Sequence, residues 1–322
     1  MSEPESAPPE KFETPAGAAA PTQAIGVAWP FFLLTVSQIL FGSNAILGRL
    51  IDGVVPPIGL SFWRWVLATV LILPFAWRPM RAHWPVIAAH WKHYLVLAIF
   101  VSVLGNTMIY VALNYTTAIN AGIVAVAQPA VTFALSWLIF RDGVGRGQIA
   151  GALIAAFGVI TVVTRGDIDV LLELRPNPGD LWMLVSVFGF AMYAVLLPRA
   201  PKAVPAIVVL NLVQMLGIIL LLPLYIWETI YLRPVEVNTE TLVAILWATI
   251  FIGIGALWLW NIGVTAVGAN VSSAFIYVRT ISIAIMAILI LDESLEIFHL
   301  FAIALVFLGI WMVTRYRQKP GG

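Results

Sequence analysis

Arg279 is the residue of this sequence whose position most demands a chemical explanation. It lies nine residues into the apolar stretch 270–290, roughly 13 Å along a helix that rises about 1.5 Å per residue. A guanidinium in hydrocarbon is costly unless its charge is compensated, and the sequence offers no acid at that depth. Two interpretations stay open. Arg279 binds a substrate carboxylate through paired hydrogen bonds, or it bonds backbone carbonyls or extends to the membrane surface.

Uncharged polar and aromatic side chains recur at helical spacing in other apolar stretches. Ser37 and Asn44 fall on one helical face, and Ser102, Asn106 and Tyr110 share another. In a membrane such residues either contact a substrate or form hydrogen bonds between helices, and both interpretations stay open. The predicted substrate-binding residues are Ser37, Asn44, Ser102, Asn106, Tyr110, Gln128, Tyr193, Trp258, Asn261, Tyr277 and Arg279.

The apolar stretches lack the groups that catalysis or proton coupling would use. All sixteen acidic residues fall in the N-terminal segment, in loops or at the ends of apolar stretches, and the chain has no cysteine. We therefore expect no enzyme activity, no metal and no cofactor. Without a carboxylate in mid-membrane, proton-coupled export of organic cations is also disfavoured. A net charge of +1 without a dense basic patch gives no sign of a nucleic-acid partner.

The elements that must position these residues are membrane-spanning helices. Of the 322 residues, 61% are hydrophobic and 10% are charged, which is more apolar surface than a soluble protein of this size could bury. Backbone groups in hydrocarbon must be bonded internally, so stretches of about 20 apolar residues are predicted to be helices. Ten such stretches fall at 29–50, 58–77, 93–113, 119–140, 147–164, 179–198, 205–227, 241–263, 270–290 and 297–314.

The distribution of lysine and arginine predicts the orientation of these helices. With the N-terminus in the cytoplasm, the inner segments carry eleven basic residues and the outer segments four, as the positive-inside rule requires. Both termini are therefore predicted to be cytoplasmic, in a multi-pass protein of the inner membrane. Residues 1–28 are rich in Pro, Ala and Glu and are predicted to be a disordered cytoplasmic tail.

A weak internal repeat relates the two halves of the chain. A shift of about 150 residues brings Gly105 onto Gly255 and Asp142 onto Asp292, which suggests one five-helix unit at 29–165 and another at 179–316. Because five is odd, the second unit enters the membrane from the opposite side. The predicted fold class is thus all-α integral membrane, with ten transmembrane helices in two inverted five-helix repeats. Such proteins usually bind substrate near the midplane, between the repeats.

The motifs along both halves resemble the EamA family of the drug/metabolite transporter superfamily. The resemblance covers nearly all of the chain beyond the N-terminal segment, and its specificity lies in the order and spacing of degenerate motifs. It rests on Phe41–Asn44, on Ser61–Arg64, on Ala118–Pro129 and on the helix-end acids Asp142 and Asp292. Within the family, the aromatic and apolar helices are most similar to YddG-type amino-acid exporters.

The resemblance implies a central cavity surrounded by the helices that carry the polar residues named above. It also implies a structural role for Arg64, which occupies a position where the family commonly has arginine. Arg279 is a departure, because the family often has proline there, and so the chemistry of the site is expected to differ.

These observations favour a transporter of small zwitterionic metabolites. By resemblance the substrates are amino acids, exported across the inner membrane by alternating access. Expected partners are a small-molecule substrate and the lipid bilayer, with no nucleic acid, and the protein is expected to be a monomer or weak dimer. Two alternatives stay open: an exporter of drugs or organic cations, and a non-transporting membrane scaffold or receptor. A scaffold would not need amides and aromatic side chains converging from both repeats.

Overall fold

In the part of the chain that a computed structural model describes, every regular element is a helix. The structure describes residues 28–50, 55–113, 115–116, 121, 124–164, 166–173, 177–291 and 297–316. The predicted tail up to residue 27, the side chain of Asn44, and all of Asp292 lie outside the described residues.

Several helices change type without a break in the chain. The first half contains α1 (Ala28–Leu50), α2 (Pro57–Ala82), α3 (Trp84–Ala89), α4 (Trp91–Ala98), the π-helical segment π1 (Ile99–Thr107), α5 (Met108–Leu113), α6 (Gln128–Phe140), α7 (Arg146–Val163) and α8 (Ile168–Leu172). The second half contains α9 (Pro178–Leu196), α10 (Ala206–Tyr231), α11 (Thr239–Trp247), the π-helical segment π2 (Ala248–Ala256), α12 (Leu257–Val267), α13 (Ala269–Ala274), α14 (Ile276–Leu291) and α15 (Ile297–Arg315).

Five of the described helical runs are long and apolar enough to cross a bilayer, which confirms an all-helical, multi-pass membrane protein. Further apolar helices are shorter, so the count of ten and the side of each terminus remain predictions. The five long runs are Pro57–Ala82, Trp91–Ala112, Pro178–Arg199, Ala206–Tyr231 and Thr239–Val267.

Corresponding helices of the two halves pack against each other in antiparallel pairs. The start of α2 lies beside the end of α10, where Gly59 contacts Glu228. Helices α7 and α15 approach so closely that a Cβ at Gly151 would lie 2.6 Å from the Gly309 carbonyl oxygen. Small residues allow such backbone contact between membrane helices. Each of these two helix pairs joins the first half of the chain to the second.

The π-helical segments occupy corresponding positions in the two halves, and each is nine residues long. A π-helix has i→i+5 hydrogen bonds. Two side chains of π1 match this period, because Asn106 Nδ2 donates to the Val101 carbonyl and Thr107 Oγ1 to the Ser102 carbonyl, each at 2.8 Å.

Carbonyl groups of these segments also accept bonds from neighbouring helices. Ser186 donates to Gly105, Gln214 to Gly253 and Ser37 to Ala256. The π-helical segments thus supply acceptors to side chains of other helices deep in the bundle.

The two ends of the bundle differ in their polar contacts. At the Glu228 end, the Glu228 carboxylate meets the first turn of α2. At the basic end, Arg199 pairs with Asp142, and Lys202 follows in the connection to α10. The predicted orientation would place the basic end in the cytoplasm.

Candidate functional site

Arg279 lies between α14 and α1 and is held at one side of its guanidinium. Its Nε donates to Gln38 Oε1 at 3.1 Å, and its Cζ lies 4.8 Å from the centre of the Phe41 ring. The side chain is only partly buried. Its two Nη atoms have no hydrogen-bond partner among the residues that the structure describes. The guanidinium is thus fixed by an amide and a ring, and its fork is available.

Gln38 is the member of this arrangement that the sequence analysis missed. Its side chain is fully buried, and its Nε2 has no partner within the described part of the chain. The neighbouring Ser37, a predicted site residue, donates to the Ala256 carbonyl at 2.8 Å, which is a bond between helices. The sequence signal was present, because Gln38 is an amide inside an apolar stretch. Only the position of α14 shows that this amide meets an arginine.

A narrow crevice adjoins Phe41 on the side of Arg64. It is too narrow to admit a water-sized sphere. Arg64 Nη1 donates to the Tyr110 hydroxyl at 3.2 Å, and the guanidinium lies near the Trp65 ring. Two predicted site residues thus lie at this second arginine, because Asn106 lines the crevice and Tyr110 accepts the bond from Arg64. Its lining consists of Phe41, Arg64, Trp65, Asn106, Ile252, Gly253 and Leu257.

A larger cavity of about 340 Å³ lies at the basic end, between the start of α10 and the end of α12. Asn261 forms part of its wall and accepts a 2.8 Å hydrogen bond from the Tyr193 hydroxyl. The Nδ2 of Asn261 is buried and has no partner among the described residues. Thr265 and Lys202 also line the cavity. Both Tyr193 and Asn261 were predicted site residues, and the structure brings them together.

Three further predicted residues lie apart from the crevice at Arg64 and from the cavity at the basic end. Gln128 begins α6, and the Tyr277 hydroxyl donates to the Val126 carbonyl just before it, at 3.2 Å. Ser102 is buried where π1 packs on α10, and a Cβ at Gly217 would lie 2.5 Å from its Oγ. These contacts join helices.

Trp258 lies away from the polar groups, with 40% of its side chain exposed. Trp247 and Phe251, which precede it in the same helical run, have exposed side chains as well. Exposed aromatic side chains on a membrane helix face lipid, and so we leave Trp258 out of the candidate site. The buried face of the same helix carries Trp260 and Asn261 instead.

Two buried amides of α10 were also missed. Asn211 donates to the Thr69 carbonyl at 3.2 Å, and Gln214 donates to the Gly253 carbonyl at 2.9 Å. Both are fully buried, and their spacing of three residues places them on one helical face. That spacing was visible in the sequence. It could not show that this face packs against α2 and π2.

Comparison with known proteins places the chain among membrane transporters. An uncharacterized transporter of Archaeoglobus fulgidus is 24% identical over 287 residues, which cover 89% of this chain and 98% of that one. The uncharacterized transporter YetK of Bacillus subtilis is 24% identical over 291 residues, covering 89% and 87%. One solved crystal structure has the same fold, with a TM-score of 0.70 and 18% identity over 89% of this chain and 96% of that one.

The sequence profile of a transporter family matches both halves of the chain separately. The matches cover residues 28–164 and 177–315, which together make up most of the molecule. The chain belongs to the EamA-like transporter family.

Proposed function

We propose that this membrane transporter carries small zwitterionic metabolites, in particular amino acids, and exports them across the inner membrane by alternating access. The observation that supports this most directly is the guanidinium of Arg279. It lies inside the bundle with Nε bound to Gln38, and no described residue is bound to either Nη atom.

The contacts of Arg279 suit a carboxylate ligand. Gln38 and Phe41 fix the plane of the guanidinium, which limits the side-chain entropy that ligand binding would cost. A carboxylate can then accept two parallel N–H bonds from the fork, a geometry that a lysine ammonium cannot offer. The guanidinium groups of Arg279 and Arg64 lie over the rings of Phe41 and Trp65, and these cation–π contacts help to hold both arginines in place. An organic cation without a carboxylate would meet only repulsion from Arg279.

The larger cavity lies at the basic end of the bundle, and this difference between the two ends supports alternating access. We propose that the bundle consists of ten helices in two inverted halves, 29–165 and 179–316, with both termini in the cytoplasm. In that orientation the cavity of about 340 Å³ opens towards the cytoplasm. Export would then begin at this cavity, pass Phe41 and end at the Glu228 end.

The test is uptake and binding by purified protein in liposomes, with free amino acids and their carboxyl amides compared. Arg279→Gln removes the charge and the fork, and Arg279→Lys keeps only the charge. Loss of a charge-assisted hydrogen bond in a dry site costs about 1.5–3 kcal/mol, so affinity for free amino acids should fall roughly tenfold to a hundredfold. The amides should bind weakly to the native protein and be indifferent to both substitutions.

Arg199→Gln is the matched control, because Arg199 is an exposed arginine at the basic end. It should leave substrate affinity unchanged. Equal losses for free and amidated amino acids in Arg279→Gln, together with reduced thermal stability, would show that Arg279 is structural and would refute the proposal. Transport of organic cations in preference to amino acids would favour the drug-exporter alternative.

A further inference from the structure

We propose that the crevice at Arg64 is a second anion-binding position, so that the preferred substrates carry two acidic groups. One carboxylate would bind Arg279 and the other Arg64, which selects short dicarboxylates and acidic amino acids. This inference rests on the proposed function and narrows its substrate class.

Arg64 has hydrogen-bonding capacity that the described part of the protein leaves unmet. Only 1% of the residue is exposed, yet its Nε and Nη2 have no partner within the described part of the chain. Its Nη1 donates to Tyr110 at 3.2 Å. A buried guanidinium normally has its donors satisfied, because each lone buried donor costs about 1–3 kcal/mol and a charged one more. Nε and Nη2 lie along one edge of the guanidinium plane, and two such donors match the two oxygens of a carboxylate.

Within the described residues, neither of the two arginines inside the bundle has an acidic counter-charge. Among the described residues, the recorded ion pair is Asp142–Arg199 at the basic end. Glu228 lies at the start of α2, but its carboxylate already accepts bonds from the backbone of Ile58 and Gly59. Neither Arg64 nor Arg279 is paired with an acid of the described chain. Two cations inside a membrane protein are complemented best by a ligand that carries two negative groups.

The two arginines border the same side chain, Phe41. Arg279 lies over the ring of Phe41 at 4.8 Å, and Phe41 lines the crevice together with Arg64. Arg64 comes from the first half of the chain and Arg279 from the second. A ligand that bridged them would therefore contact both halves at once, beside the Phe41 ring.

The crevice is closed in this structure and must widen to admit a ligand. Its wall opposite Arg64 includes Gly253, where an added Cβ would lie 3.5 Å from Arg64 Cγ. The absence of a side chain at Gly253 leaves the stem of Arg64 against backbone. Movement of π2 relative to α2 would therefore open the crevice without first breaking an ion pair.

The experiment compares glutamate with glutamine, which have nearly the same shape but differ by one negative charge. Binding of each to the purified, unmodified full-length protein is measured by calorimetry in low-chloride buffer. We expect glutamate to bind at least about tenfold more tightly than glutamine, the gain typical of one further charge-assisted hydrogen bond. Succinate should exceed its monoamide in the same way. This comparison needs no variant and so does not depend on the folding of one.

Variants then assign the preference to Arg64. Arg64→Gln should reduce glutamate affinity to the glutamine level and leave glutamine affinity unchanged, whereas Arg64→Lys should keep part of the preference. Arg279→Gln should weaken both ligands. Equal affinity for glutamate and glutamine in the native protein would overturn the second anion position while the proposed function stands. Failure of every amino acid to bind would refute the proposed function itself.

Discussion

A carboxylate joins the two halves of the chain at each end of the bundle, and the two contacts differ in burial. At the Glu228 end, a carboxylate of the second half accepts N–H bonds of 3.0 and 2.6 Å from Ile58 and Gly59 of the first. At the basic end, Asp142 of the first half pairs with Arg199 of the second at 2.9 Å. Glu228 is 2% exposed, whereas the side chains of Asp142 and Arg199 are each 45% exposed.

The difference in burial implies a difference in strength. Glu228 meets the unpaired backbone N–H groups and the positive dipole of a helix N-terminus, away from water. The residue before that helix is Pro56, whose side chain provides no cap, so Glu228 supplies the cap from another helix. The Asp142–Arg199 pair is solvated, and exposed pairs contribute little. We expect the Glu228 end to resist opening more strongly than the basic end, where the larger cavity lies.

The largest effect is expected for Glu228→Ala. This substitution leaves the N–H groups of Ile58 and Gly59 buried without an acceptor, so the free energy of unfolding should fall by about 3 kcal/mol. Thermal and denaturant unfolding of the purified protein in detergent would measure the loss. If Glu228→Ala lowered the free energy of unfolding by less than Asp142→Asn at the other end, the ranking of the two ends would be contradicted.

Opening can be followed separately from stability, because the native chain has no cysteine. Val55→Cys places one thiol at a buried position beside α2 at the Glu228 end. Its labelling by a polar maleimide should be slow in the otherwise native protein and faster when Glu228→Ala is added. Unchanged labelling would show that Glu228 stabilises the fold without holding this end closed.

A smaller effect is expected for Glu228→Gln, which separates charge from hydrogen bonding. The amide keeps one oxygen acceptor for the start of α2 but loses the negative charge beside the helix dipole. The free energy of unfolding should fall by about 1.5 kcal/mol, between the native protein and the alanine variant. The same unfolding measurements decide the matter. If Glu228→Gln lost as much stability as Glu228→Ala, the charge would account for the whole contribution of Glu228 to stability.

The smallest effect is expected for Asp142→Asn. Breaking an exposed ion pair should change the free energy of unfolding by less than about 1 kcal/mol. The remaining contribution should also weaken with salt, because exposed charges are screened. Unfolding in low and high salt would show a difference for the native protein and none for the variant. Arg199→Gln serves as the reciprocal control, and a large loss in either variant would break the proposed contrast.

The sequence predicted the helical, membrane-embedded character of the chain and singled out Arg279. It could not predict the partner of Arg279, because Gln38 lies 241 residues away and only helix packing brings the two together. Glu228 was placed at a helix end, which is where it lies, but its burial depends on α2. Trp258 and Asn261 were both predicted to be site residues, although the first is exposed and the second is buried. Composition shows that a helix crosses lipid, whereas its neighbours decide which face is covered.

The π-helical segments shift the rotational phase of the helices that contain them. An i→i+5 turn holds one residue more than an α-turn, and each residue of an α-helix advances the side-chain direction by about 100°. The faces before and after π1 are therefore out of phase, and α4 packs against α10 while α5 packs against α9. One continuous helix thus presents different faces to two neighbours. Deleting a single residue from π1 would restore the α-helical period and rotate α5 away from its contact.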